Sequence, residues 1–127
     1  MERTVISTNN APAAIGPYSQ AIKAAGQFVY LAGQIALDPE SGEIVGETIE
    51  EQTHQVLRNI QGILQAAEAK LGNVVKTTVF LNDMTDFAAM NQVYAQYFTD
   101  NPPARSAVGG LDLPKGVKVE IECVAII

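Results

Sequence analysis

The last eleven residues, Val117 to Ile127, constrain the fold more than any other stretch. Alternate side chains of a β-strand point to opposite faces, and here one row reads Val117, Val119, Ile121, Cys123, Ala125 and Ile127, with no charged residue. That row demands a buried sheet face. The other row, Lys118, Glu120, Glu122, Val124 and Ile126, begins charged and ends apolar. Such a strand needs helices on its dry face and a further contact on the apolar half of the other. The simplest cover for Val124 and Ile126 is a second copy of the chain.

Two amphipathic segments supply the helices. Thr48 followed by Glu51 is a capping box, and Ile49, Val56, Leu57, Ile60, Ile63, Leu64 and Ala67 recur at helical spacing up to Leu71 and Gly72. His54 falls off that stripe and reads as an exposed surface histidine. Capping residues from Asp83 to Asp86 open a second helix carrying Phe87, Met90, Val93, Tyr94, Tyr97 and Phe98, which Pro102 and Pro103 stop. Between the helices, Val74 to Leu81 is rich in β-branched residues and reads as a strand. Upstream, Arg3 to Ser7 is a short β-prone opening, and Asn9 to Ser19, with Pro12, Gly16 and Pro17, is a loop that leaves Tyr18 at its exit.

From Phe28 to Leu37 the residues Val29, Leu31, Ile35 and Leu37 share one parity, and Asp38-Pro39-Glu40-Ser41-Gly42 ends the strand in a tight turn. Gly33 interrupts it, which marks a bulge or a close approach by a ligand or another backbone. Ala104 to Gly109 leads through Gly110, Pro114 and Gly116 into the terminal strand. Strands and helices in this order give an α+β two-layer sandwich, a mixed sheet with two helices on one face, in a single domain over residues 1–127.

Composition narrows the chemistry. Eight Lys and Arg against fourteen Asp and Glu leave a net charge of −6, which repels phosphate backbones and makes nucleic acid a poor partner. One cysteine and one histidine cannot furnish a structural zinc site, so neither metal nor disulfide is expected. Cys123, on the all-apolar row, reads as an inert small hydrophobe. No uncharged apolar run is long enough to span a membrane, Met1-Glu2-Arg3-Thr4 is not a secretory signal, and the expected location is cytoplasmic. Phosphate-binding loops, dinucleotide fingerprints and nucleophile elbows are absent from the sequence.

What remains is sparse. Of the arginines Arg3, Arg58 and Arg105, only Arg105 lies among small and apolar residues, in Pro103-Ala104-Arg105-Ser106-Ala107-Val108. An arginine so placed holds a carboxylate or phosphate, or forms an internal ion pair, here with Glu120 or Glu122. Glu120 and Glu122, two apart on one sheet face, raise each other's pKa if partly buried, which would suit a general base acting on water; a solvated acidic edge is the alternative. Tyr18 offers an aromatic wall and a hydroxyl, or simple packing. Asn91, between Met90 and Gln92 in the second helix, reads by default as a surface polar residue.

Five motifs in order resemble the RidA family, also called YjgF, over essentially the whole chain: Asn10-Ala11-Pro12-Ala13-Ala14-Ile15-Gly16-Pro17-Tyr18-Ser19-Gln20-Ala21, Gly33-Gln34-Ile35-Ala36-Leu37-Asp38-Pro39, Val75-Lys76-Thr77-Thr78-Val79-Phe80-Leu81, Pro103-Ala104-Arg105-Ser106 and Val119-Glu120-Ile121-Glu122. The resemblance implies a chorismate-mutase-like fold, a homotrimer whose sheets face one another around a central barrel, and a cleft at each subunit interface. It implies hydrolysis of reactive enamines and imines, chiefly 2-aminoacrylate and 2-aminocrotonate, to 2-keto acids and ammonia, without a cofactor. By matching position, Arg105 would clamp the substrate carboxylate and Glu120 would position or activate water. Tyr18 and Asn91 would line the pocket, and the Gly33 backbone would meet the ligand.

Two positions depart from the family pattern. Ala32 and Ala107 stand where many members carry serine and cysteine, so neither a thiol-dependent step nor that hydroxyl carries over. Water addition to a protonated imine still needs only an anchor and an acid–base group. A non-enzymatic metabolite-binding or regulatory trimer would use the same cleft without turnover. An endoribonuclease reading fits poorly with the −6 charge and the lone His54.

Overall fold

A computed structural model describes residues 2–127, running through β1 (Glu2–Ile6), β2 (Ala21–Ala25), β3 (Phe28–Gln34), α1 (Ile49–Ala66), β4 (Val74–Leu81), α2 (Phe87–Tyr97), β5 (Ala104–Val108) and β6 (Val119–Ile126). The main sheet has the order β3-β6-β4-β5, in which β4 and β5 are parallel and the other pairs antiparallel. This is the mixed sheet expected, with α1 and α2 on one face. β1 and β2 form a separate antiparallel ribbon. The β2 strand was not anticipated, because Ala21-Ile22-Lys23-Ala24-Ala25 lacks β-branched alternation and owes its extended form to pairing with β1.

Inner-row residues of β6 seal the core: Val119, Ile121 and Ala125 are fully buried and Cys123 nearly so, beneath Val56, Leu57, Ile60 and Leu64 of α1. The helix starts where its capping box requires, with Thr48 Oγ1 accepting from Glu51 N at 3.1 Å and a Glu51 carboxylate oxygen accepting from Thr48 N at 3.1 Å. Its buried face is wider than the apolar stripe. Thr53 is fully buried and donates to Ile49 O at 2.7 Å, and the Gln52 amide donates to Gly46 O and accepts from Lys118 N. Ile63, placed on the stripe by periodicity, is turned outward instead, at the edge of the face. His54 is not a free surface residue: its Nδ1 lies 2.7 Å from the Tyr97 hydroxyl and joins α1 to α2.

Strand β3 is shorter than its pattern suggests. The register against β6 shifts between Leu31 and Gln34, so Gly33 does mark a bulge. The extra residue reverses the parity: Leu31 is buried, but beyond the bulge Ala36 takes the core position, fully buried, while Ile35 and Leu37 are only partly covered. On the outer row, Ile126 is already buried by its own chain, because the Gly26 turn between β2 and β3 sits directly on it. At φ +147° Gly26 adopts a backbone that favours glycine, and a Cβ there would stand 2.7 Å from Ile126 Cγ2. A second subunit is therefore not needed to cover Ile126. Val124 stays half-buried.

Burial, with Glu122 nearby, pushes the Cys123 thiol up from 9.0 to about 12, and burial pushes Tyr94 from 10.0 to about 12. Both groups stay neutral in the folded chain at pH values where the unfolded chain ionises. Their contribution is therefore complete below pH 9 and is lost as pH rises towards about 12. Urea midpoints measured from pH 8 to 11 are expected to fall above pH 9, and to fall less steeply in Cys123→Ala. Parallel pH profiles for parent and variant would refute the assignment to Cys123.

Candidate active site

Arg105 lies on β5 opposite Thr77 of β4, so its side chain rises towards the helix layer. Three rings surround it: the guanidinium carbon is 4.9 Å from the Tyr94 centroid, 5.5 Å from Phe87 and 5.6 Å from Tyr18. Arg105 Nη1 donates to Asn91 Oδ1 at 2.7 Å. Neither Glu120 nor Glu122 pairs with it, and among the described residues no carboxylate does. Burial lowers the Arg105 pKa while Tyr94 and Tyr18 push it back up, and guanidinium stays charged throughout the physiological range. The internal ion pair is thus excluded in the single chain. What stands there is a half-buried cation held by π faces and one amide oxygen.

Each wall of this cradle is fixed locally. Tyr94 is fully buried, and its hydroxyl is hydrogen-bonded to Thr77 Oγ1 at 2.8 Å. Tyr18 arrives on the Asn9–Ser19 loop, where its N donates to Gly16 O and its hydroxyl accepts from Ile15 N. Ser19 ties that loop to the segment after α2, with its N donating to Pro103 O at 3.2 Å and Oγ to Pro102 O at 2.6 Å. Pro102 and Pro103, expected to stop the second helix, instead lie beyond its end at Tyr97, and their carbonyls are taken up by the loop. Gln20 staples the loop from within: its Oε1 accepts from Thr8 N, and its Nε2 donates to Thr8 O and Pro12 O. Sequence reasoning gave no role to Thr77, Phe87, Tyr94 or Gln20. The signal that could have found one is the polar Asn91 at helical spacing between the aromatics Phe87 and Tyr94.

Glu120 stands elsewhere. From β6 it pairs with Phe80 of β4, and since Val79, Leu81, Val119 and Ile121 are all fully buried under the helices, Glu120 belongs to the opposite face of the sheet. Its carboxylate lies over Gly33, so close that any side chain at residue 33 would overlap it. Two strand spacings of about 5 Å and three residues of about 3.3 Å separate the Arg105 and Glu120 positions, across the thickness of the sheet. The structure therefore joins Arg105, Asn91 and Tyr18 in one group and Glu120 with Gly33 in another. It does not bring the two groups together within one chain.

Ala107 follows Arg105 on the same side of β5 and packs against the core, whereas Ala32 is exposed beside Gly33. Tyr18 lines a concavity of about 320 Å³ with the end of β1, and Gly33 lines another of about 720 Å³ with Arg58, Asn59 and Ile63 of α1. Arg105 lines neither. The sheet face bearing Glu120 also exposes Phe28 and Tyr30, 58% and 75% accessible and stacked at 5.8 Å, a large apolar area for a sheet to leave uncovered.

A sequence model of the family described as Endoribonuclease L-PSP matches residues 8–127. A RutC family protein of Pyrococcus horikoshii is 58% identical over 97% of both chains. The human 2-iminobutanoate/2-iminopropanoate deaminase is 51% identical over 98% of this chain and 90% of its own. Among solved structures, E. coli TdcF with bound serine superposes with a TM-score of 0.75 at 41% identity, covering 98% of each chain. With a family model spanning all but the first residues and relatives about half identical along their length, the chain belongs to the endoribonuclease L-PSP family, the RidA/YjgF family that its motifs resemble.

Proposed function

We propose that the chain is an imine deaminase that hydrolyses small 2-imino acids, in tautomeric exchange with enamines such as 2-aminoacrylate and 2-aminocrotonate, to 2-keto acids and ammonia. The observation that carries this reading is the half-buried Arg105 with no acidic partner among the described residues, a cation ready for a carboxylate. Relatives named as 2-iminobutanoate/2-iminopropanoate deaminases, about half identical, supply the reaction class. Serine in the E. coli relative is a molecule of matching size that carries the same carboxylate.

In this reading Arg105 anchors the substrate carboxylate and the Tyr18 ring walls the site. Glu120 accepts a proton from water as the water oxygen bonds to C2 of the protonated imine and the C=N π pair moves to nitrogen. The resulting carbinolamine takes that proton back from Glu120 on nitrogen, its C2–N bond breaks as the hydroxyl gives its proton to the Glu120 carboxylate and the carbonyl forms, and ammonia leaves. Imino acid and water thus give keto acid and ammonia, with no cofactor and no covalent enzyme adduct.

The opposite-face arrangement of Arg105 and Glu120 favours a site shared between copies, Arg105, Asn91 and Tyr18 from one and Glu120 with Gly33 from the next. The exposed Phe28–Tyr30 stack, with Val108 at 44% exposure on the same face, supplies apolar surface for that contact. A homotrimer with interfacial sites, acting in the cytoplasm, completes the proposal. The net charge of −6 weighs against RNA as the substrate.

Three outcomes are expected. In a coupled assay with a threonine dehydratase, Arg105→Ala should abolish acceleration of 2-ketobutyrate formation, and Glu120→Ala should lower kcat by about 100-fold or more with little change in KM. A change confined to KM would make Glu120 a binding residue. Co-expressing Arg105→Ala with Glu120→Ala should restore about a quarter of parental activity, because random assembly of neighbouring copies leaves that share of sites intact; no recovery would place the whole site in one chain. Gly33→Ala should lower kcat by evicting the Glu120 carboxylate. In a double-mutant cycle its effect should vanish on the Glu120→Ala background.

A further inference from the structure

Within one chain, the Arg105 cradle is built without any negative charge among the described residues, and the sequence had a simple way to include one. Asn91 Oδ1 is 2.7 Å from Arg105 Nη1, on a rigid helix, in the position where an aspartate would form a charge-assisted pair. The other walls are the faces of Tyr94, Phe87 and Tyr18. Ring faces attract a cation through their quadrupole but carry no net charge, so they stabilise it without cancelling it. The Tyr94 hydroxyl is turned to Thr77, which fixes the ring under the guanidinium and removes the hydroxyl from the site. No buried polar atom is left without a partner among the described residues, so the Nε and Nη2 donors, which no group of the chain accepts, reach solvent.

Resting on the deaminase reading of the same site, we infer that Asn91, Phe87 and Tyr94 are positioning residues that hold Arg105 by amide and π contacts so that its full positive charge is kept for the ligand. They make the site selective for an anionic head group. Asn91 occupies one Nη1 donor and fixes the plane of the guanidinium, so that the Nε–Nη2 edge stays free to take both oxygens of a carboxylate. Gly16 borders that edge, where even its missing Cβ would stand only 3.7 Å from Nη2. A carboxylate at residue 91 would instead satisfy Arg105 internally and compete with every ligand.

Isosteric charge substitution tests this. 2-Ketobutyrate binding is followed by titration calorimetry in the parent, Asn91→Asp, Asn91→Ala and Phe87→Leu, with neutral 2-oxobutanamide as the control ligand. Asn91→Asp should weaken 2-ketobutyrate by about tenfold or more, leave 2-oxobutanamide unchanged, and raise KM with kcat within about twofold of the parent. Asn91→Ala should lose less, about threefold, because the charge survives although its orientation loosens. Retained affinity in Asn91→Asp, or an equal loss in Asn91→Ala, would overturn the inference. Should the aspartate variant not fold, Phe87→Leu, which keeps the bulk and removes the ring, decides in the same way: a loss of about three- to tenfold supports the cradle and none refutes it. Calorimetry needs no turnover, so a chain that binds 2-ketobutyrate but hydrolyses no imine would sink the deaminase reading and leave this inference standing.

Discussion

Everything in the molecule is arranged around one strand whose two faces have different solvents. β6 carries the dry row that α1 and α2 must cover, and because it sits between β3 and β4 it dictates the register of both neighbours. The same strand presents Glu120 and Glu122 on its outer row. A backbone pleat therefore does what a cavity does in larger enzymes, keeping an acid separate from the hydrophobic core two side chains away.

Several loops are held by neutral amides, and none by an ion pair among the described residues. Gln20 closes the loop that carries Tyr18, Gln52 ties the turn before α1 to Lys118 just ahead of β6, and Asn59 Nδ2 donates to Ile35 O and Leu37 O beyond the bulge. Asn73 secures the end of β6 through Ile126 O. Amide side chains both donate and accept, so one residue can satisfy two backbone groups at once without the desolvation cost of a charge. Half-buried Arg105, by contrast, is tied by a single hydrogen bond to the Asn91 amide and meets no carboxylate among the described residues, which is why its surroundings can be tuned to a ligand.

Much of the fold was legible because hydrophobic period and capping chemistry agree with the final packing. The Thr48–Glu51 box starts α1, β4 occupies Val74–Leu81, and Gly33 marks a bulge, each as the sequence pattern implies. What failed did so for definable reasons. β2 is extended only because β1 lies beside it, Ile126 is covered by a turn that no local pattern announces, and His54 finds Tyr97 on a helix 43 residues away. For the site, motif matching named Arg105, Tyr18 and Asn91, and these three do converge. It could not tell that Glu120 faces the other way. Strand parity fixes the side of a residue within its own strand, but comparing Arg105 with Glu120 needs the register of β5 and β6 through β4, which is tertiary information.

The bulge at Gly33 also sets a rule for chain length. Because it shifts β3 by one residue, Ala36 rather than Ile35 or Leu37 takes the fully buried core position. Deleting a single residue between Leu31 and Ala36 would cancel the phase shift, swing a bulky side chain inward and carry the seat of Glu120 out of line. An edge segment of this kind, exposed and ending in a turn, has every outward mark of a place that tolerates insertions and deletions. Here it is counted to the residue.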